Sequence, residues 1–363
     1  MKWNWQKPDW PHFQYDSSRI SVLEGQFLHQ TGVAFGATKH FDKAGQEQLL
    51  VELMGDEAFK TSEIEGILLN RQSLQSSIRK QFGLTSNQEH IPAAEQGVAQ
   101  MMFDLHENFA APLSHDTLFH WHEMLMSGRD DIDDIGAYRT HHEPMQVVSG
   151  AIYKPTVHFE APASKDVLLE MTTFIKWFNG SSSLPALTRA SIAHLYFVCI
   201  HPFEDGNGRI GRALCEKVLA QSLGRPTLIS LSHTIQANRK DYYNQLELNN
   251  KTNEISAWME YFAQTILDAQ AYSQTYIDFL IQKTKIYDRI RNQLNARQEK
   301  VLERMFREGP KGFKGGLSAR NYIAITGTTR ATATRDLTDL LNKKVFKKTG
   351  QLKGVRYWLD LSE

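Results

Sequence analysis

The 363-residue chain is 41% hydrophobic and 23% charged with a formal net charge of zero. This is the composition of an ordinary soluble globular protein, long enough for two or three domains, and bulk charge does not mark it as a polyanion binder. With only Cys199 and Cys215, both in apolar patterns, a disulfide-built secreted fold is excluded and buried thiols are expected. The start, Met1-Lys2-Trp3-Asn4, lacks the apolar run of a secretory signal, and no stretch approaches a membrane span. A cytoplasmic protein that does not engage membranes is expected.

Residues 1–18 carry Trp3, Trp5, Trp10, Phe13 and Tyr15 with Pro8 and Pro11, which favours an extended arm pinned by its rings. Residues 19–40 and 43–82 read as helices. In the second, Thr61 and Glu65 stand one turn apart and share a face, and Gly66 leaves room beside the carboxylate. Taken alone, such a pair reads as a solvated face. Helical spacing resumes from Gln88 to about Leu113, and Ser114 is placed to cap a helix through Met126. His120 and His122 point apart on it, so surface or satisfied core histidines are expected rather than a metal site. Residues 128–165 read as a loop followed by a short hairpin with its turn at Ser149-Gly150. Helices are expected over 165–179 and 186–200.

The chain then reaches His201-Pro202-Phe203-Glu204-Asp205-Gly206-Asn207-Gly208-Arg209-Ile210-Gly211-Arg212. Glycines admit a ligand close to the backbone, and a helix starting after Asn207 aims free N–H groups at it. Arg209 and Arg212 lie three apart and can face one anion. The physical reading is a polyphosphate cradle with a base, His201, and a possible metal ligand, Asp205, at its edge.

Beyond Gly224-Arg225-Pro226, helices are expected over 227–248 and 254–280, then a polar helical linker to 295. From Ala296 onward fifteen Lys and Arg stand against seven Asp and Glu, so this region carries a net +8 that the remainder balances. It reads helix, helix, helix, hairpin, with Thr326-Gly327-Thr328-Thr329 capping Arg330 to Leu341, and resembles a winged helix. DNA contact from Thr328, Thr329, Arg330, Thr332 and Arg335, or a protein contact in its place, is the expectation.

Residues 201–212 match H-x-F-x-[DE]-G-N-G-R-x-x-R with every specified position filled, and on this motif the chain resembles the Fic proteins. The resemblance implies a mainly α fold: a Fic-type helical core over 86–280 with a flap at about 145–159, an N-terminal region over 1–85, and the winged-helix module over 281–363. It implies an adenylyltransferase that moves AMP from ATP, with Mg2+, onto a Ser, Thr or Tyr hydroxyl of a protein, the target being aligned as an extra strand on the flap. His201 would be the base, Asp205 the Mg2+ ligand, and Gly206, Asn207 and Gly208 the anion nest. Arg209 would contact the β- or adjacent phosphate and Arg212 the γ-phosphate. Thr61 to Gly66 matches [ST]-x-x-x-E-[GN], the Fic inhibitory motif, so that Glu65 would pair with Arg212. Alternatives are removal of AMP, transfer of another nucleotide, or a DNA-binding regulator that senses nucleotide. A homodimer, the commonest assembly for such chains, is open to it.

Overall fold

The computed structural model describes residues 2–39, 41–84, 91–151, 154–227, 229–310 and 312–362. They form two compact units, residues 1–36 with 46–273 and residues 37–45 with 274–363. In chain order the elements are α1 (Ser18–Thr38), α2 (Lys43–Ile64), α3 (Arg71–Gln81), α4 (Ala93–Glu107), α5 (His115–Leu125), β1 (Gln146–Ala151), β2 (Lys154–Glu160), α6 (Ser164–Gly180) and α7 (Ala186–Ile200). There follow α8 (Asn207–Leu223), α9 (Leu231–Ala237), α10 (Arg239–Asn249), α11 (Ser256–Arg289), α12 (Ala296–Arg307), α13 (Ala319–Thr326), α14 (Arg330–Asn342), β3 (Phe346–Thr349) and β4 (Arg356–Leu359). The fold is mainly α, as expected.

The first unit is built around α7. Every residue of this helix except Val198 is buried, the pattern of a helix enclosed on all sides rather than one with a solvent face. Its partners are chiefly aromatic: Phe174 stands edge-on to Tyr196, and the Trp258 indole donates to Ser191 O at 2.9 Å. α8 packs along α7, so the loop joining them is fixed at both ends. The N-terminal arm lies on this core, with Trp10 and Phe13 both edge-on to Tyr196 and the Trp5 indole donating to Glu160 O at 2.7 Å.

Three boundaries differ from expectation. The helix expected over 43–82 is two: α2 stops at Ile64, Gly66 turns at φ +82, and Asn70 caps α3 by accepting from Ser73 N. The helix expected over 227–248 breaks at Asn238 between α9 and α10, whereas α11 runs without a break through the expected linker to Arg289. The hairpin does not turn at Ser149-Gly150. Gly150 pairs with Pro155 and Ala151 with Lys154, so its tip, including Ile152 and Tyr153, lies outside the described residues.

In the second unit, Asn295 and Gln298 form a capping box on α12, Thr329 caps α14, and β3 pairs antiparallel with β4. Three helices followed by a hairpin is the order read from the sequence.

Candidate active site

The loop between α7 and α8 is held through its backbone by neighbouring side chains. His201 closes α7 in the left-handed region at φ +52, a conformation that costs an L-residue energy and persists only where its surroundings enforce it. The enforcing group is Arg139, which sequence reasoning did not single out. Its Nε donates to His201 O at 2.9 Å and its backbone N–H to Pro202 O at 3.0 Å. Phe203 is fully buried and stacks on His122 at 4.2 Å, while His122 Nδ1 accepts the Gly136 N–H at 3.0 Å. His122 is thus a core histidine paired at Nδ1, while its buried Nε2 has no hydrogen-bond partner among the described residues. The Asn207 side chain brackets Phe203, donating to its carbonyl at 2.7 Å and accepting from its N–H at 2.9 Å. Asn207 therefore shapes the loop with its side chain and leaves only its backbone for an anion.

Gly206 sits at φ +80, where a β-carbon would also meet Met126 at 2.8 Å, and α8 starts immediately after it. Asp205 accepts from the Gly206 N–H and lies 3.0 Å from Arg129 and 3.6 Å from Arg209. Burial opposes its charge, but Arg209, the Gly206 N–H and Arg129 together hold its carboxyl below the usual range. Among the described residues no group of three or more His, Cys, Asp or Glu is arranged to hold a metal ion. A Mg2+ at Asp205 would therefore complete its shell with phosphate and water oxygens, as that ion commonly does.

Arg209 and Arg212 are 4% and 2% exposed. Arg212 Nε donates to Thr61 Oγ1 at 2.8 Å, and its Nη2 to Thr61 O at 3.0 Å and to Glu65 Oε1 at 2.7 Å. The other Glu65 oxygen accepts from the Tyr243 hydroxyl at 3.3 Å. Glu65 is so close to α8 that a β-carbon on Gly208 would stand 2.1 Å from its Oε1. The end of α2 thus lies against the first turn of α8, the arrangement the motif pairing required. Arg209 Nε and Nη2 and Arg212 Nη1 are buried without a hydrogen-bond partner among the described residues. Orphaned donors of this kind are costly, and three carried by the first two turns of one helix fit an anionic ligand.

A cavity of about 500 Å³ opens at this point, lined by Glu65, His201 and Gly208, by Val147 and Val148 of β1, and by Tyr243 of α10. Its walls are tied together where His158 of β2 reaches Glu247 of α10 at 2.7 Å and Ser149 of β1 at 2.6 Å. Burial pushes the His201 imidazole down to about 4, so it is neutral near pH 7. Its Nδ1 is 3.2 Å from Val198 O, a carbonyl that can only accept. The proton therefore sits on Nδ1, and Nε2 is free to act as a base.

Five buried or half-buried groups with large shifts shape the pH dependence of stability between about pH 4 and 8. Burial lowers His122, His194 and His201 to about 4, 3 and 4. Histidines depressed in this way contribute stability above their unfolded value near 6.5 and lose it as pH falls. Burial raises Glu57 to about 7, and burial with the Glu57 charge raises Glu216 to about 8. Carboxyls raised in this way contribute stability below their unfolded values and lose it as pH rises through 7 and 8. Below 6.5 these three histidines outweigh the two carboxyls; between 6.5 and 8 the loss from the carboxyls dominates. Thermal unfolding across a pH series is expected to show a maximum near pH 6.5, and Glu216→Gln to remove the decline above pH 7.

Residues 112–219 match the sequence model of the Fic/DOC family, and residues 3–84 match a domain of unknown function, DUF4172. The chain is 29% identical over 198 residues to protein adenylyltransferase fic-1 of Caenorhabditis briggsae, covering 53% of this chain and 34% of that protein. It is 37% identical over 92 residues to protein adenylyltransferase Fic of Drosophila melanogaster, covering 25% and 18% respectively. The chain thus spans about a third or less of the length of these curated relatives. Among solved structures, a Fic family protein from Desulfovibrio desulfuricans aligns with a TM-score of 0.52 at 20% identity, covering 94% of this chain and 96% of that one. Residues 134–508 of Fic-1 from C. elegans align with a TM-score of 0.50 at 21% identity, covering 74% and 75%. At these identities the likeness concerns the fold alone. The chain carries a Fic domain over residues 112–219, and Thr61 to Gly66 fall in the DUF4172 region that precedes it.

Proposed function

We propose that this chain is a protein adenylyltransferase that moves AMP from ATP to a Ser, Thr or Tyr hydroxyl and is inhibited by its own Glu65. The observation that carries the reading is a cavity lined by a neutral imidazole and by the N-terminus of α8, the helix that also carries two buried guanidiniums with unpaired N–H groups. His201 Nε2 takes the hydroxyl proton as the oxygen attacks the α-phosphorus. The bond to the β-phosphate oxygen breaks, and pyrophosphate leaves with AMP joined to the target. Gly206, Asn207 and Gly208 supply backbone N–H groups to the phosphates, while Arg209 and Arg212 hold the β- and γ-phosphates. Mg2+, held by Asp205, would neutralise phosphate charge. The target segment adds as a strand beside β1 and β2, which demands extended backbone more than particular side chains.

Inhibition follows from the same geometry. Arg212 cannot give Nη2 to Glu65 and to a γ-phosphate at once, and Glu65 repels the incoming phosphate. Incubating Glu65→Gly with ATP labelled at either the α- or the γ-phosphate tests the reaction class. Label retained on protein from the α position alone supports AMP transfer; retention from the γ position, or from neither, rejects it.

For the second unit we infer contact with duplex DNA, because its exposed cations share the α14 and β3 surfaces with one part-exposed acid, Asp339, that Lys343 pairs. Arg330, Arg335, Lys347 and Lys348 are exposed, whereas Asp336 is buried on Arg297 at 2.8 Å and Asp339 is held by Lys343 at 2.5 Å. Fluorescence anisotropy of the full chain on labelled duplex should show binding that weakens with salt. Arg335→Ala is expected to lower the affinity and flatten the log–log salt slope by about one. Absence of binding at low salt would leave a protein contact as this unit's role.

A further inference from the structure

Asp56 and Glu57, on the helix that ends in the inhibitory motif, do not line the cavity, although the Glu57 charge reaches Arg212. Both are buried acids, 7% and 5% exposed, and both grip the start of α9. Glu57 Oε2 accepts the Ser232 N–H at 2.7 Å and its Oε1 accepts the Ser232 hydroxyl. Asp56 Oδ2 accepts the Ser230 hydroxyl at 3.0 Å and lies 2.8 Å from His233 Nδ1, while its Oδ1 takes Arg71 at 2.7 Å. Glu57 thus satisfies one free N–H at the start of α9, and Asp56 takes the side chains on either side of it.

The far side of the same connection holds the other end of the segment. Arg239, the first residue of α10, donates through Nε to Ile64 O at 2.7 Å, a terminal carbonyl of α2. Its guanidinium lies 5.2 Å from the ring centroid of Tyr243, the residue whose hydroxyl reaches Glu65. Residues 57, 61 and 65 follow at spacings of four and thus share a face. From Glu57 to Glu65 is about 12 Å at helical rise, and α9 with the start of α10 touches that length at both ends.

We propose that Asp56 and Glu57 are positioning residues for the inhibitory carboxylate. Their grip on α9 sets where α2 stops along α8 and α10, so that Glu65, rather than Glu63 or solvent, meets Arg212. Moving α9 therefore releases Glu65 through a shift of α2, with no substitution at Arg212. The inference rests on the autoinhibited adenylyltransferase reading above and names a second control point for it.

The test is AMP transfer and the KM for ATP in six forms of the full chain: wild type, Glu57→Ala, Glu57→Gln, Ser232→Ala, Glu65→Gly and Glu57→Ala with Glu65→Gly. Glu57→Ala should raise transfer several-fold and lower the KM for ATP. Glu57→Gln, which keeps an acceptor for the Ser232 N–H, should stay near wild type. Glu57→Ala should add nothing once Glu65 is glycine. Ser232→Ala approaches the same contact from α9 and serves if Glu57→Ala fails to fold. A rise in Glu65→Gly with none in Glu57→Ala or Ser232→Ala overturns this proposal and leaves autoinhibition standing. A further rise in the double variant also overturns it, because Glu57 would then act elsewhere. No rise in Glu65→Gly itself removes the autoinhibition reading, and this one with it.

Discussion

Replacing Glu65 with glycine should raise AMP transfer about 10- to 150-fold, mainly through tighter ATP binding. In the wild type, Arg212 donates to Glu65 at 2.7 Å, and that bond must break before a γ-phosphate can take its place. A hydrogen bond between charged groups contributes roughly 1.5–3 kcal/mol, which converts to the stated factor. Arg212 stays anchored, because Thr61 still accepts from its Nε. The guanidinium is therefore left in place and unpaired toward the phosphate rather than set adrift. Calorimetric ATP binding and initial rates would both register the change; a Kd for ATP equal to that of wild type would remove Glu65 from the nucleotide site.

Loss of the imidazole should be the other large effect. His201→Asn in the Glu65→Gly background is expected to lower the rate by roughly 10²–10⁴, the range for a positioned general base, with little change in ATP affinity. Asparagine is the better substitution than alanine because residue 201 sits at φ +52, where asparagine is tolerated and alanine is strained. With the wild-type imidazole at about 4, the base is already deprotonated at neutral pH. The rate should therefore stay level from pH 6 to 8 as far as His201 governs it. A steep rise across that range would show that His201 titrates near neutrality in the working enzyme.

The α7–α8 loop was legible because its chemistry is contiguous: base, carboxylate, glycines and arginines lie within twelve residues flanked by apolar helices. Glu65 was legible only through the family motif, since a Thr and a Glu one turn apart carry no sign that they face Arg212. Arg129, Arg139, Arg239 and Tyr243 were not legible at all. Each acts through partners far away in the chain, such as the carbonyls of His201 and Pro202 for Arg139, and distant bonds leave no local pattern. The missed helix break after Ile64 has a similar origin. Ile67-Leu68-Leu69 continues the apolar spacing, yet Gly66 at φ +82 turns the chain away and leaves Leu68 84% exposed. The two-residue periodicity located the hairpin, but Gly150 reads as a turn residue while the ladder runs past it to Ala151.

The contact between the end of α2 and the first turn of α8 joins two parts of one chain. An inhibitor tethered to its target acts at an effective concentration set by the fold and not by the cell. Diluting the protein cannot wash it out, and raising the amount of enzyme cannot titrate it away. A soluble species that occupies the same anion site, however, competes on terms set by its own concentration. On the proposed reading that species is ATP itself, so the fraction of molecules able to react would follow the nucleotide level. The chain would then behave as a gauge of its own substrate, with a set point written into the distance between a carboxylate and a guanidinium.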